Sequence, residues 1–244
     1  MDTHKTSQLR EGKAKILFQT NHPSDYLIQH FKDDATAFNA QKKGQILNKG
    51  ILNNQVSAWA FRYLEKHGIP THFVEKLSDR EMLIQRVDII PVETVVRNKA
   101  TGSICKRLGL EKGMPFTPPI VEYFYKSDEL GDPLIGETHI LYFKWATPEE
   151  LNTLTGYALR VNEILRGVFD ACGLELIDFK LEFGRNKDGQ VVLADEFTPD
   201  GCRLWDKKTG ESMDKDRFRH DLGRVEESYI DVCERLRKFF EGKL

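Results

Sequence analysis

Cysteine is scarce in this chain, and its placement excludes two common ways of stabilising a small domain. The 244 residues include four cysteines, and no two of them form a CxxC pair. Widely spaced single cysteines argue against a zinc site and against a disulfide framework. They are typical of a protein that works in a reducing compartment, so we expect a cytoplasmic location.

Other absences narrow the possible functions. The seven histidines form no HExxH or HxxxH pattern, so a histidine-based metal site has no local support. No apolar run approaches 18 residues, and the N-terminal segment lacks the apolar core of a signal peptide. With 36 basic and 38 acidic side chains the net charge is −2, so the overall charge does not indicate binding to a nucleic acid. We expect a soluble protein whose partners are neither membranes nor nucleic acids.

A predicted hairpin is the most informative feature that is present. Residues 177–183 (IDFKLEF) alternate strictly, so they predict a strand with three charged side chains on one face: Asp178, Lys180 and Glu182. The dipeptide DG at 188–189 favours a two-residue turn, and residues 190–195 (QVVLAD) form the second strand. Pairing outward from that turn predicts that Glu182 lies opposite Asp195.

Two carboxylates that face each other need a neutralising partner. Like charges about 5 Å apart repel by roughly 3 kcal/mol at an effective dielectric of about 20, whereas cross-strand pairing contributes only about 0.2–1 kcal/mol. A proton, a lysine or a divalent cation must therefore lie between Glu182 and Asp195. Oxygen ligands of this kind suit Mg²⁺ together with substrate phosphates. The alternative is an ordinary strand with one solvated face, where water and salt screen the charges.

A glycine turn near the N-terminus carries two lysines. Residues 11–15 (EGKAK) lead into a strand, so Lys13 and Lys15, beside Gly12, point the same way. They could hold a polyphosphate, as glycine-rich loops do in kinases. The pattern is not a Walker A loop. Exposed lysines on an edge strand are the alternative explanation.

Three further segments combine charge with turn residues. Residues 97–103 (RNKATGS) bring together a guanidinium, main-chain amides and hydroxyls, which suits either phosphate binding or a solvated loop. Residues 195–205 (DEFTPDGCRLW) begin at the predicted metal ligand and add more charged groups, so we expect them to belong to a site. Residues 213–219 (MDKDRFR) indicate a helix start with acids in its first turn.

The order of the predicted elements indicates an α+β fold of two lobes with a cleft between them. Predicted helices cover 45–67, the stretch from the capping box of Thr147, Pro148 and Glu150 to Cys172, and an amphipathic stretch from about Asp216 to Phe240. Predicted strands cover 71–76, 81–87 and 90–97, and the four prolines within 113–138 predict loops there. We expect a β-rich lobe over 1–88 and a mixed α+β lobe over 89–244.

Together these segments resemble the SAICAR synthetase family, the phosphoribosylaminoimidazole-succinocarboxamide synthases. The matching stretches span nearly the whole chain in the family's order: 11–15, 33–39, 91–103, 177–184, 195–205 and 213–219. The blocks at 97–103 and 178–184 are highly specific signatures. The resemblance implies an ATP-dependent ligase of de novo purine synthesis that joins L-aspartate to the carboxylate of carboxyaminoimidazole ribonucleotide (CAIR). It also implies a kinase-like, ATP-grasp-like architecture with ATP in the cleft, and by analogy a homodimer.

The resemblance further implies a role for each matching residue. Gly12, Lys13 and Lys15 would contact the phosphates of ATP, and Glu182 and Asp195 would hold Mg²⁺. Other positions would face the substrates: Arg97, Ser103 and Arg203 at the ribose phosphate of CAIR, Asp178 and Lys180 as catalytic groups on the substrate side, and Asp200 nearby.

Two other classes of protein share part of this pattern. A small-molecule kinase would use the same lysines and carboxylates to phosphorylate a hydroxyl, although the chain lacks the HRD and DFG motifs of protein kinases. A non-catalytic nucleotide-binding module would bind Mg-ATP without turnover. The identity of the product separates these classes from a ligase.

Overall fold

The computed structural model describes residues 3–37 and 41–244. Thirteen strands and six α-helices lie within these two ranges, and they form the α+β arrangement that the sequence predicts. The strands are β1 Lys5–Glu11, β2 Lys15–Thr20, β3 Tyr26–Phe31, β4 Asp34–Ala37, β5 Lys42–Gln45, β6 Phe73–Lys76, β7 Glu81–Gln85, β8 Asp88–Lys99, β9 Pro115–Tyr125, β10 Leu134–Ile135, β11 Leu174–Arg185, β12 Val191–Ala194 and β13 Cys202–Asp206. The helices are α1 Lys49–Lys66, α2 Ser103–Leu108, α3 Glu137–Tyr142, α4 Pro148–Ala171, α5 Asp216–Arg219 and α6 Val225–Phe240.

Two antiparallel sheets organise the chain. The first has the strand order β1-β2-β3-β7-β6, and the second has the order β10-β9-β8-β11-β12, with β13 also paired to β11. The first sheet ends at Gln85 and the second begins at Asp88, close to the predicted lobe boundary. The division into lobes at 88 and 89 itself stays a prediction. Part of the family stretch 33–39 lies outside the described residues, namely Phe38 and Asn39.

Helix α4 has the start signal that the sequence predicts, whereas α1 has no side-chain cap at its start. Thr147 caps α4, where its side chain accepts from the Glu150 N–H and the Glu150 side chain returns to the Thr147 N–H. Helix α1 begins at Lys49, four residues later than predicted, because Asn48 takes a left-handed conformation with φ 61°. It packs on β3, β6 and α6, while α4 packs on β8 and β11. None of the helices in the described ranges is long and apolar enough to cross a bilayer.

Two predicted elements near the edges of the fold are wrong. Residues 115–125 form strand β9 rather than loops. The two-residue strand β10 pairs with β9 only at Tyr123 and Phe124. The proline-rich beginning of β9 therefore has a free edge on that side, where prolines are tolerated because no N–H donor is needed. The last predicted helix breaks into α5 and α6. Between these two helices, Asp221, Gly223 and Arg224 all have a positive φ, which a continuous helix does not allow.

The predicted register of the carboxylate hairpin is wrong by one residue. Glu182 pairs with Ala194, and the connection from 186 to 190 has five residues instead of two. Asn186 closes this connection, because its side-chain oxygen accepts from the N–H groups of Asp188 and Gln190. Asp195 therefore lies one residue beyond the end of β12 and is not paired across the ladder.

Candidate active site

A single cavity of about 520 Å³ brings the predicted site residues together. It opens between the glycine turn before β2 and the exposed face of β8 and β11, a size that suits a small-molecule site. Of the predicted residues, Ser103 alone does not line it; the ten that do are Gly12, Lys13, Lys15, Arg97, Asp178, Lys180, Glu182, Asp195, Asp200 and Arg203.

The glycine turn places its two lysines on different walls of the cavity. The Gly12 N–H donates to the Lys15 carbonyl at 2.8 Å, which closes the turn and starts β2. Lys13 is half-exposed and binds Asp128 with its Nζ 2.6 Å from Oδ1. Lys15 is largely buried and forms an ion pair with Asp195. Both lysines line the cavity, but Lys13 lies in the turn before β2, so the prediction that the two share one strand is wrong.

We call one part of the cavity the lysine end; it consists of Lys15, Lys126, Lys180, Glu93, Glu182 and Asp195. Its cross-strand carboxylate pair is Glu182 with Glu93, because these residues are partners in the β8–β11 ladder. Lys180 lies between them, with Nζ 2.8 Å from Glu93 and 2.5 Å from Glu182. Lys126 adds a second cation, 2.8 Å from Glu182. Lys180 thus neutralises this pair of carboxylates. A lysine is one of the three alternatives, beside a proton and a divalent cation, that can offset the repulsion.

Asp195 reaches the same end by an unusual main-chain turn. Its φ is 62°, a left-handed conformation that directs the chain away from β12. The buried side chain of Gln29 donates to the Asp195 carbonyl at 3.3 Å and supports that turn. The carboxylate then meets Lys15. Glu182 and Asp195 therefore line one cavity although they are not ladder partners.

The charges at the lysine end stabilise each other strongly. Burial alone disfavours the Asp195 carboxylate, but Lys15, Lys180 and Lys126 outweigh it and hold its pKa well below the usual range. Burial likewise disfavours the Lys180 ammonium, yet the surrounding carboxylates raise its pKa well above the ordinary value. Glu93 behaves differently, because burial raises its pKa in spite of Lys180. At neutral pH Lys15 and Lys180 are cations and Asp195 is an anion, because each pKa is shifted toward the charged form.

The donor set at the lysine end fits a hard divalent cation. Glu182 and Asp195 offer only oxygen ligands, and Glu196, next in the chain, adds a buried Oε2 that makes no hydrogen bond and lies 3.6 Å from the Lys15 ammonium. Over residues 3–37 and 41–244 no three acidic, histidine or cysteine side chains cluster as a complete metal cage. Two carboxylates supplemented by substrate phosphates are the usual arrangement for Mg²⁺, so the residues present fit that ion.

We call the other part of the cavity the arginine end; it consists of Arg97, Arg203, Arg219 and Asp178, together with Asp216, which pairs with two of these arginines from outside the cavity lining. Asp178 on β11 accepts from Arg97 at 2.7 Å and from Arg203 at 2.9 Å. Asp216 accepts from Arg203 at 2.8 Å and from Arg219 at 2.6 Å. Alternating charges thus hold three guanidinium groups at one place. Burial raises the pKa of Asp178 although Arg203 and Arg97 favour its ionised form.

The segment after β8 is shaped around this end. Gly102 has φ 63°, and a Cβ there would come within 2.8 Å of an Arg203 nitrogen, so only glycine fits. Ser103 follows at the start of α2. Its Oγ accepts from Arg97 at 3.4 Å and from Arg107 at 2.8 Å, and the exposed residue lies outside the cavity lining. Residues 97–99 belong to β8 and not to a solvated loop.

Asp200 lies in the cavity wall near both ends and is held by two buried groups. Lys49, on α1, donates to its Oδ2 at 2.7 Å, and Tyr229, on α6, donates to its Oδ1 at 2.5 Å. The sequence analysis missed Lys49, Tyr229, Glu93 and Lys126. A polar signal existed for Lys49, because it begins a buried polar series at four-residue spacing along α1.

Comparisons with known proteins agree with this geometry. The family model described as SAICAR synthetase matches residues 8–236. Phosphoribosylaminoimidazole-succinocarboxamide synthase of Novosphingobium aromaticivorans is 56% identical over 232 residues, covering 94% of this chain and 88% of that protein. The crystal structure of the Ehrlichia chaffeensis enzyme of that name has a TM-score of 0.92 at 46% identity, covering 95% of this chain and 98% of that one.

A second solved structure is described as SAICAR synthetase (Type-2) in complex with ADP. It has a TM-score of 0.90 at 46% identity and covers 93% of this chain and 96% of that chain. These likenesses confirm the expected ATP-grasp-like α+β fold. From the family model and the relatives together, the chain belongs to the SAICAR synthetase family, the ATP-dependent ligases of purine biosynthesis that join L-aspartate to CAIR.

Proposed function

We propose that this chain carries out the ligation in the one cavity described above, with ATP phosphates at the lysine end and the ribose phosphate of CAIR at the arginine end. The observation that carries the proposal is the convergence of both charged ends on a single space of about 520 Å³. The solved relative bound to ADP supports a nucleotide site in this fold. Two anionic groups in one cavity need two separate sets of cations, and the chain supplies both.

The chemistry requires an activated carboxylate. A carboxylate is a poor electrophile, because its oxygen is a poor leaving group. An oxygen of the CAIR carboxylate attacks the γ-phosphorus of ATP, the bond to ADP breaks, and an acyl phosphate forms. The amine of L-aspartate then attacks the acyl carbon, inorganic phosphate leaves, and the nitrogen loses a proton as the amide forms. No side-chain nucleophile takes part, so the protein supplies mainly position and charge.

The lysines of the cavity neutralise charge during phosphoryl transfer. Lys13 and Lys15 flank the glycine turn and would contact the phosphates of ATP, with the Gly12 turn setting their direction. Lys180, fixed between Glu93 and Glu182, would meet the transferring group. Positioned cations of this kind lower the cost of bringing a carboxylate to a triphosphate.

Mg²⁺ is the metal that we propose for the lysine end. Glu182 and Asp195 would hold it, and their present partners Lys15, Lys126 and Lys180 would turn toward the phosphates. When bound, the ion offsets negative charge on the β- and γ-phosphates.

The arginine end recognises a phosphate monoester in this proposal. Arg97 and Arg203 present planar guanidinium groups that suit bidentate phosphate contacts. Asp178 neutralises part of their charge and fixes their orientation, and the Ser103 hydroxyl accepts a hydrogen bond from Arg97.

We propose that the protein works in the cytoplasm, a reducing compartment that suits its four free cysteines. The homodimer stays a prediction.

Phosphate release tests the proposal. The protein would be mixed with Mg-ATP, CAIR and L-aspartate, and each component would be omitted in turn. We expect release only with all of them present, and one succinocarboxamide formed per phosphate. Hydrolysis that continues without L-aspartate would contradict the assigned amine. Binding of Mg-ATP without any turnover would contradict the ligase.

A further inference from the structure

Helix α1 carries a buried polar stripe that faces the acidic segment after β12. Lys49, Asn53 and Ser57 are spaced four apart, and their exposed fractions are 0%, 1% and 0%. The Lys49 ammonium binds Asp200, and the Ser57 hydroxyl accepts from the Phe197 N–H at 3.3 Å. Residues at i, i+4 and i+8 lie along one side of a helix, and the two outer residues of this stripe, Lys49 and Ser57, hold the segment at Asp200 and Phe197.

The centre of this arrangement is the carboxylate of Asp200. Lys49 occupies one of its oxygens and Tyr229 the other, at 2.7 and 2.5 Å. Lys215 adds a cation 3.8 Å away. Asp200 lines the cavity, whereas Lys49 and Tyr229 are buried behind it. Burying an ion pair seldom stabilises a protein more than apolar packing would. The pair is therefore better explained by what Asp200 does in the cavity.

The place of Asp200 in the cavity suits the amine of the amino-acid substrate. It follows Asp195 of the lysine end by five residues and precedes Arg203 of the arginine end by three, and all three residues line the cavity. The acyl phosphate must form between the two ends, because its phosphoryl group comes from one and its ribonucleotide is held at the other. The attacking nitrogen must arrive at that same region.

We propose that Asp200 binds the ammonium group of L-aspartate and that Lys49 and Tyr229 are the positioning residues that hold its carboxylate toward the cavity. This inference rests on the proposed function. L-Aspartate also carries two carboxylates, and two cations are available to receive one of them: Lys215, 3.8 Å from Asp200, and Arg219 in the wall of the same cavity.

The electrostatics agree with an anion that binds a cation and does not take its proton. Burial disfavours the Asp200 carboxylate, but Lys215, Lys49 and the Tyr229 hydroxyl hold its pKa well below the usual range. A carboxylate that stays ionised can accept further hydrogen bonds from an ammonium, because each oxygen has two lone-pair directions.

A matched pair of tyrosine variants gives the mildest test of the positioning role. Tyr229→Phe removes one buried hydroxyl that donates to Asp200. Tyr123→Phe removes another buried hydroxyl, 2.7 Å from Thr155 and outside the cavity. We expect Tyr229→Phe to raise the KM for L-aspartate about tenfold with the KM values for ATP and CAIR unchanged, and Tyr123→Phe to change none of them. Equal changes in all three KM values for Tyr229→Phe would overturn the inference.

Asp200→Asn with succinate as a probe tests the contact itself. Succinate is L-aspartate without the amino group, so it can compete for the carboxylate contacts alone. We expect Asp200→Asn to raise the KM for L-aspartate about 100-fold while the inhibition constant of succinate changes less than threefold. Equal weakening of both ligands would show that Asp200 does not recognise the ammonium.

The coupling between Lys49 and Asp200 separates positioning from general damage. Lys49→Met should raise the KM for L-aspartate in the natural background but add little to Asp200→Asn, because both changes act through one carboxylate. If the two changes raised the KM for L-aspartate by factors that multiply in the double variant, they would act independently, which would contradict this inference. If the natural protein makes no succinocarboxamide, the proposed function fails. If it does make the succinocarboxamide, and Asp200→Asn leaves the KM for L-aspartate unchanged, only this inference fails.

Discussion

Strand β13 has an arginine–carboxylate pair of a different kind at each of its ends. At the cavity end, Arg203 binds Asp178, which is buried and shared with Arg97. At the far end, Asp206 binds Arg235 at 2.8 Å and accepts from the N–H groups of Lys208 and Thr209. Both carboxylates are almost fully buried, so burial alone does not distinguish them.

The two pairs differ in what they do to the carboxylate. The main-chain donor of Thr209 and the Arg235 guanidinium outweigh burial and lower the pKa of Asp206 to about 2. Burial wins at Asp178, and its pKa is raised in spite of two arginines. Asp206 therefore stabilises the fold at neutral pH, whereas in the proposed function Asp178 arranges cations for a ligand. A site residue should change activity with little effect on stability, and a scaffold residue should do the reverse.

The largest expected effect tests the site half of this comparison. Asp195→Asn removes one proposed Mg²⁺ ligand, and we expect kcat to fall more than about 1,000-fold, since even outer-shell partners of a metal typically cost 10- to 100-fold. The fold should survive, because the amide oxygen that the change introduces can still accept a hydrogen bond from Lys15. The measurement is phosphate release over a Mg²⁺ titration, together with thermal unfolding.

A control for this variant lies on the same hairpin. Asp188→Asn changes an exposed carboxylate in the connection between β11 and β12, so turnover and Mg²⁺ dependence should stay as in the natural protein. An Asp195→Asn protein with unchanged Mg²⁺ dependence would remove Asp195 from the metal site.

The next effect concerns the arginine end. Arg97→Ala should weaken CAIR binding by about 2–5 kcal/mol and leave ATP binding unchanged, because a buried charged pair with the phosphate is lost. Isothermal titration with each ligand measures both affinities. The matched control is Arg185→Ala, since Arg185 binds Glu150 with two hydrogen bonds and lies outside the cavity lining. Equal loss of both ligands would show that Arg97 is not specific for CAIR.

The same comparison explains what could be predicted from the sequence. Local signals succeeded: the Thr147 capping box starts α4, and the alternation of 177–183 puts Asp178, Lys180 and Glu182 on the wall of one cavity. These signals depend on neighbours within a few residues, which a single sequence contains.

Non-local pairings could not be predicted in the same way. The register of β11 with β12 depends on the Asn186 side chain, which closes a longer connection than the DG dipeptide suggests. Glu93 meets Glu182 only because β8 lies beside β11, 89 positions away in the chain (182 − 93). Lys49 and Tyr229 reach Asp200 from two different helices. Facing carboxylates do have a cation between them here, but the ladder partner of Glu182 is Glu93 and not the predicted Asp195.

The smallest expected effect tests the scaffold half of the comparison. Asp206→Asn should lower the free energy of unfolding by about 1–2 kcal/mol at pH 7, since one unit of pKa corresponds to about 1.4 kcal/mol. Activity at saturating substrates should not change. Because the folded pKa of about 2 is below the unfolded value of 3.8, this stability is fully present above pH 3.8 and is lost as the pH falls toward 2.

Urea unfolding at several pH values measures this difference between the natural protein and Asp206→Asn. The difference should be constant from pH 7 to pH 5 and should narrow below about pH 4, because only then does the unfolded carboxylate take up its proton. Asp170→Asn is the control, since Asp170 pairs with Lys207 on the surface and should contribute less than about 0.5 kcal/mol. If Asp206→Asn lowered activity without lowering stability, the separation between the two ends of β13 would be wrong. Arg203 and Asp206 would then have to be treated as parts of one functional strand.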